Sequence, residues 1–345
     1  MEKIVRQRNV DKKPFLQWGR MIGAGVVYLL LSFYLYLPYL RRFSSIEYLF
    51  IFNSAFGALG CFVLSRRWVG SFTASLFAGA VYGFSPFTLS FAAFHPAGGL
   101  AVAMLSWLFI PAAYWHKIGF RQPDKIPDFV ITALLTLAGP AVLCVFFFMM
   151  SLQGIGPFFP VPVSETMTIE GLKSIALPFN MRPGGFALSV YHIPLCGLAM
   201  GVCLYYASGG LGIFLLAAAG LCMSFYEPVA MVPPVVWALV PLLCCCVLTG
   251  YGFQGIVSAG KQDRWCILGC CAVLAFISAI GFIAGEIYSG FMTGAGAVLL
   301  LGMFFILRAG LRWHFYRWLL FTAGFTVDII SGARYILDGI FGLGF

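Results

Sequence analysis

Apolar and polar positions are not mixed evenly along this chain. Long apolar runs are separated by short polar breaks, and the runs share a common length. Taking about 20 successive apolar residues as enough to cross the hydrocarbon core of a bilayer, eleven runs qualify: 21–40, 47–65, 69–93, 97–115, 128–151, 186–207, 210–226, 229–252, 265–285, 288–307 and 315–340. They predict an all-α fold, a polytopic transmembrane bundle of about eleven helices, ten to twelve once the boundaries are allowed to move. The breaks divide the chain into a basic tail over 1–20, a first transmembrane bundle over 21–152, a loop over 153–185 and a second bundle over 186–345.

Most breaks are short, as in a compact bundle. Two are long enough to carry chemistry. "HKIGFRQPDKIPD", His116 to Asp128, has two prolines and charges of both signs, which suit a solvated elbow. The other runs from Gln153 to Gly185. Pro157, Pro160 and Pro162 keep its first third extended. Ser164 then reads as an N-cap, with Glu165 in the first turn and apolar residues at mixed helical spacing after it, which predicts a short helix on the membrane surface. Glu170 and Lys173 stand three apart and share a face of that helix. Loops of this length are functional or grip a partner.

Composition agrees with the pattern. Of the 345 residues 61% are hydrophobic and 10% charged, and the mean hydropathy is +0.95, more apolar than a water-soluble core needs. The net charge of +9 is accounted for by topology. Cytoplasmic loops hold an excess of Lys and Arg, and with the N-terminus inside, all but Arg41, Arg42, Lys173, Arg182 and Arg334 fall on the cytoplasmic side. No nucleic-acid partner is implied. "MEKIVRQRNVDKKPFLQWGR" lacks a small-residue cleavage site and reads as a retained cytoplasmic tail near anionic lipid.

The 11 cysteines fall inside the runs or at their edges, as small polarizable packing residues. Cys244, Cys245 and Cys246 point about 100° apart around a helix and cannot share one ion. No metal site follows from spacing. Intramembrane charges are few, because an ionised group in lipid costs several kcal/mol. Glu47, Glu227 and Glu286 stand at helix ends, Arg334 and Asp338 are spaced to pair, and Asp328 alone is deep. A b-type haem needs two axial ligands at matched depth, and of the four histidines only His95 and His192 approach this. Neither has a partner on its own helix, and no cofactor is otherwise implied. HExxH, CxxC pairs, a P-loop and a nucleophile elbow are absent.

One run is unusual. "YGFSPFTLSFAAFHPAGG", Tyr82 to Gly99, carries Pro86 inside a span and ends on His95 and Pro96. A proline there marks a packing kink or a cavity wall, since the carbonyl it frees needs another partner. With its flanks, this stretch resembles the helix pair of the GT-C superfamily of polytopic glycosyltransferases, in particular the YfhO-like branch. The residues that carry the resemblance are Arg66, Arg67, Gly79, Tyr82, Phe84, Ser85, Pro86, His95, Trp107 and Pro111. A second patch, Pro233 to Ile256, is similar to a later helix of that branch.

The resemblance implies an enzyme of a bacterial inner membrane that takes a polyprenyl-phosphate-linked sugar at the outer face, with a carboxylate in a large first outer loop as base. This chain departs from the family there: only "RRFSSIE", Arg41 to Glu47, joins the first two runs. Glu47, Glu165 and Glu170 are then the candidate catalytic acids, and His95, Lys173 and Arg182 the candidate substrate-binding groups. The alternative is a non-catalytic subunit of a larger membrane complex, a shortened relative that lost the activity. A transporter is disfavoured by the lack of repeated broken helices and of several deep charges.

Overall fold

The computed structural model describes residues 18–43, 48–89, 96–114, 194–226, 234–285, 287–310 and 313–341, with isolated positions at 134, 137, 141 and 166. Among the described residues every regular element is helical. In chain order these are α1 Trp18–Tyr36, α2 Leu49–Ser65, α3 Phe72–Gly83, α4 Pro96–Leu108 (resuming over Ile110–Tyr114), α5 Leu195–Ala207, α6 Gly212–Phe225, α7 Leu239–Ser258, α8 Arg264–Ile283, α9 Ile287–Arg308 and α10 His314–Phe341. Five stretches, Gly19–Arg41, Val236–Ser258, Lys261–Ile283, Gly290–Arg308 and His314–Phe341, are long and apolar enough to cross a membrane. The helices α2 to α6 are apolar but shorter. The expected run over 128–151 and the loop over 153–185 lie outside the described residues apart from isolated positions.

Large apolar side chains point outward all along the bundle. Ile22, Leu30, Leu215, Phe276, Ile283 and Val298 are each more than three-fifths exposed. Apolar surface on this scale is a membrane-facing or partner-facing flank, because water would not tolerate it. With no hydrophobic drive between helices in lipid, cohesion comes from close van der Waals packing and interhelical hydrogen bonds.

Both converge on α7. Its spanning window is 72% buried, against 28–39% for the other four, and it packs on α3, α5, α6 and α10. Small residues permit these approaches. A Cβ added at Gly252 would stand 2.6 Å from the amide nitrogen of Gly201, and one added at Gly250 would stand 2.8 Å from the carbonyl oxygen of Ala74. Gly220 of α6 meets Val240 of α7 in the same way, at 2.6 Å. Gln254 adds a polar tie: its Oε1 accepts from the amides of Gly70 (2.8 Å) and Ser71 (3.1 Å), which opens α3. Those amides have no partner within α3, as at any helix start.

The first four helices form a second layer. Tyr28 of α1 donates to the Leu76 carbonyl (2.7 Å) and Ser32 to the Ile51 carbonyl (2.9 Å). Phe77, Phe253 and Phe325 then meet in tilted and edge-to-face contacts across α3, α7 and α10 with ring centroids 4.9–5.5 Å apart. The turns 66–71 and 258–263 and the start of α10 gather at one end, where Gln254 reaches Gly70 and Arg317 reaches Ala259. Tyr36, Tyr39, Phe43, Phe50 and Phe341 close the other end as an aromatic cluster.

At the proline, helix α3 stops and a new helix begins. Ser85 caps it by accepting from the amide of Thr88 (3.3 Å), and Pro86 occupies its first position, where a missing N–H costs nothing. Thr88 Oγ1 donates to the Tyr82 carbonyl (3.0 Å). Ser85, Phe87, Thr88 and Leu89 are at most 1% exposed, so the described part of the break is packed protein and not a cavity wall.

The α5–α7 seam makes a test. A valine at Gly201 would drive its side chain into the Leu248 carbonyl, and overpacking of this kind costs about 1–3 kcal/mol or more. Gly201→Val is expected to lower the melting midpoint of detergent-purified protein by several degrees, read by size exclusion after heating. Gly302→Val, with open space at its Cβ, should leave the midpoint within a degree or so of the parent.

Candidate functional site

The residues singled out from the sequence do not come together in the described part of the chain. Glu47, His95, Glu165, Glu170, Lys173, Arg182 and His192 all lie outside the described residues. The described residues of the GT-C resemblance have structural work instead. Trp107 donates to the Phe56 carbonyl (3.0 Å) and stacks on the Phe56 ring at 4.8 Å. Tyr82 donates to the Val102 carbonyl (2.7 Å). Gly79 and Gly83 let α3 close on α1 and α2: a Cβ at Gly79 would lie 2.9 Å from Tyr28 Cζ and one at Gly83 2.8 Å from the Ala58 nitrogen. Arg66 closes its own turn by donating to the carbonyls of Val69 and Gly70.

The concave site is elsewhere, between α9 and α10. These helices follow one another but pack on different neighbours, α9 on α8 and α5, α10 on α7, α1 and α3. The gap is a groove of about 840 Å³, within the range that seats a sizeable ligand. Its α9 wall is Val298, Leu299, Gly302, Met303 and Ile306; its α10 wall runs from Trp313 to Ala323 and includes Tyr316, Leu319 and Leu320. Gly302 leaves the α9 wall flat, since nothing approaches its Cβ position.

One charge lines this otherwise apolar groove. Arg317 is 3% exposed. One guanidinium nitrogen donates to the Ala259 carbonyl (3.0 Å) and the other to Nδ1 of His314 (3.0 Å). A guanidinium only donates, so that ring nitrogen accepts and the neutral imidazole carries its proton on Nε2. Nε of Arg317 is buried with no partner. Among the described residues no carboxylate pairs with this guanidinium. A buried cation without a counter-charge is expensive. Arg317, counted from the sequence among the cytoplasmic-side charges, is buried in the wall of the groove. The signal was its position two residues inside the run beginning at 315.

The charges of α10 also differ from expectation. Arg334 and Asp338 do not pair with each other. The Arg334 guanidinium lies over the Tyr34 ring at 4.5 Å, and Asp338 accepts a short hydrogen bond from the Tyr39 hydroxyl. Arg334 turns to α1 and Asp338 to the 3-10 turn Leu37–Arg42 that follows it. Asp328 sits half-buried in the middle of α10, within electrostatic reach of the Cys196 thiol.

Removing the hydroxyl that serves a half-buried carboxylate costs about 1–3 kcal/mol. Tyr39→Phe is therefore expected to destabilise the detergent-purified protein measurably, and Asp338→Asn, which keeps an acceptor, to do so less. Equal melting midpoints for Tyr39→Phe and the parent would show that this contact does not hold the turn after α1 to α10.

The chain matches no protein-family model, and no curated protein or solved structure is similar to it.

Proposed function

We propose that this chain is a multi-pass membrane protein of eleven spans, N-terminus cytoplasmic, that accommodates a long-chain lipid phosphate of the polyprenyl class in the groove between α9 and α10. The observation that carries this reading is the buried guanidinium of Arg317, unpaired with any carboxylate among the described residues, in an apolar groove. An apolar body alone would not account for the buried cation, and a soluble anion would not account for the lining of leucine, isoleucine, valine and methionine. A phosphate on a hydrocarbon chain satisfies both, since charge-assisted hydrogen bonds from Arg are strong and directional. Trp313 and Tyr316 beside it are amphipathic side chains of the kind enriched at the headgroup level.

The expected orientation places this groove in the cytoplasmic half of the membrane. That is not the outer face where GT-C-like sugar transfer would occur, so the reading covers lipid recognition and leaves transfer to the acids Glu47, Glu165 and Glu170. A second reading, a non-catalytic subunit of a membrane complex in a bacterial inner membrane, is favoured by the seven-residue link from Arg41 to Glu47, which has no room for a catalytic loop.

Native mass spectrometry of the detergent-solubilised chain with an undecaprenyl phosphate titration separates them. Arg317→Gln is expected to weaken retention of the phosphate about tenfold or more, equivalent to about 1.4 kcal/mol, and to leave the corresponding prenyl alcohol unchanged. Leu320→Trp, which fills the groove from a half-exposed position, should displace both lipids. Equal binding by parent and both variants would overturn the lipid reading, and stoichiometric partner proteins in its place would establish the subunit.

A further inference from the structure

The described cysteines are not all packing residues. Cys203 of α5 and Cys266 and Cys270 of α8 bring their three sulfur atoms within 4.8 Å of one another. Cys270 Sγ stands 3.7 Å from Cys203 Sγ, and the buried thioether of Met200 stands 4.0 Å from Cys266 Sγ. Two helical spacings make the cluster. Met200 and Cys203 are three apart on α5, Cys266 and Cys270 four apart on α8, so each pair shares a face. The two faces meet because α5 packs on α8. Cys271, the next residue, points away and donates to the Ala297 carbonyl (3.2 Å).

We propose that Cys203, Cys266 and Cys270, with Met200 as a fourth, weaker donor, form a binding site for a cuprous ion. The geometry fits before any ion enters. Three sulfurs bound to one ion at about 2.3 Å stand about 3.8–4.0 Å apart, close to the spacing already present. The donor set is soft throughout, thiolate and thioether, with no imidazole or carboxylate in the group. Such ligands suit Cu(I), zinc and iron–sulfur clusters, and an iron–sulfur cluster takes four cysteines. A structural zinc ion takes four strong donors from Cys, His, Asp or Glu, and this set has three.

Access is graded. Cys203 is exposed, Cys266 half-buried and Cys270 almost fully buried. Cys266 is the third residue of α8 and Cys203 is in the last turns of α5, so the site lies about one turn inside the end of the bundle where Lys261, Asp263 and Arg264 stand. In the expected orientation that end faces the cytoplasm, where thiols stay reduced. On binding, the thiols that become thiolate ligands release their protons to water.

The test is an anaerobic titration of the purified full chain with Cu(I), using bicinchoninate as competitor. One ion per chain, a thiolate-to-copper absorption in the near ultraviolet and a sulfur-only shell by X-ray absorption are expected. Cys266→Ser and Cys270→Ser should each weaken binding at least tenfold, Met200→Leu by a few-fold, and Cys222→Ser, exposed on α6, not at all. Unchanged copper binding in the Cys203→Ser, Cys266→Ser, Cys270→Ser triple variant would overturn the proposal. So would preferential uptake of one Zn(II), or a Cys203–Cys270 disulfide in protein kept anaerobic throughout. Melting midpoints near the parent's confirm that the variants are folded, and lipid binding at the α9–α10 groove is a separate reading that none of these outcomes touches.

Discussion

The closeness with which α7 is approached governs everything else in this bundle. Helices in lipid gain nothing from hiding apolar surface from one another, because the acyl chains are as apolar as leucine. They are held where backbones can touch, and that requires positions without a side chain. Gly250 on the face toward α3, and Gly252 and Gly255 toward α5, supply them on α7, while Gly197 and Gly201 supply the facing positions on α5. Larger residues there would push α3 and α5 outward. Gln254, one turn on, would then no longer reach the amides that open α3.

Backbone polarity obeys the same constraint. An unpaired N–H or C=O in hydrocarbon costs several kcal/mol, and the irregular points of this fold are where that cost would arise. Three of them have a side-chain answer nearby: Ser85 and Thr88 at the proline break, Gln254 at the start of α3, and Arg317 at the Ala259 carbonyl that ends α7. Arg317 differs from the others because it brings a full charge. A neutral donor would have served the carbonyl equally well, so the charge is more than the backbone requires.

Much of the helical framework was legible from the apolar runs, since length and composition alone determine which segments suit lipid. The described helices overlap ten of the eleven expected runs, five described stretches being long enough to cross a membrane, while α3, α5 and α7 differ from their runs by nine or ten residues at one end. Helix α3 is the informative departure. The expected run over 69–93 is continuous in hydropathy, but Pro86 and the hydroxyl of Ser85 end one helix and start another. Hydropathy does not register that change because both halves are apolar. The sites were less legible for a different reason. A three-cysteine cluster and a cation in a groove depend on which helices are neighbours, and α5 and α8 are separated by two intervening helices in the chain. Cys266 and Cys270 at helical spacing were visible; that Cys203 and Met200 would face them was not.

Both features lie away from the tight core, and this follows from how packing is distributed. A helix buried on all sides has no surface to give to a ligand, and α7 is nearly that. Helices α8, α9 and α10 have about a third of their spanning windows buried, so each has one face committed to the bundle and another open. Helix α9 uses its inner face for α8 and α5, with Cys271 bound to its Ala297 carbonyl, and its outer face for the groove. Helix α8 gives its α5-facing side to the sulfur cluster near its first turn. Positions at a boundary between packed and open faces combine a fixed backbone with accessible side chains, which a binding site needs. The closely packed helices α2, α3, α4 and α7 show the complementary economy. Their polar groups are largely consumed among themselves, and the residues that resemble a glycosyltransferase motif there are accounted for, where described, by packing and hydrogen bonding.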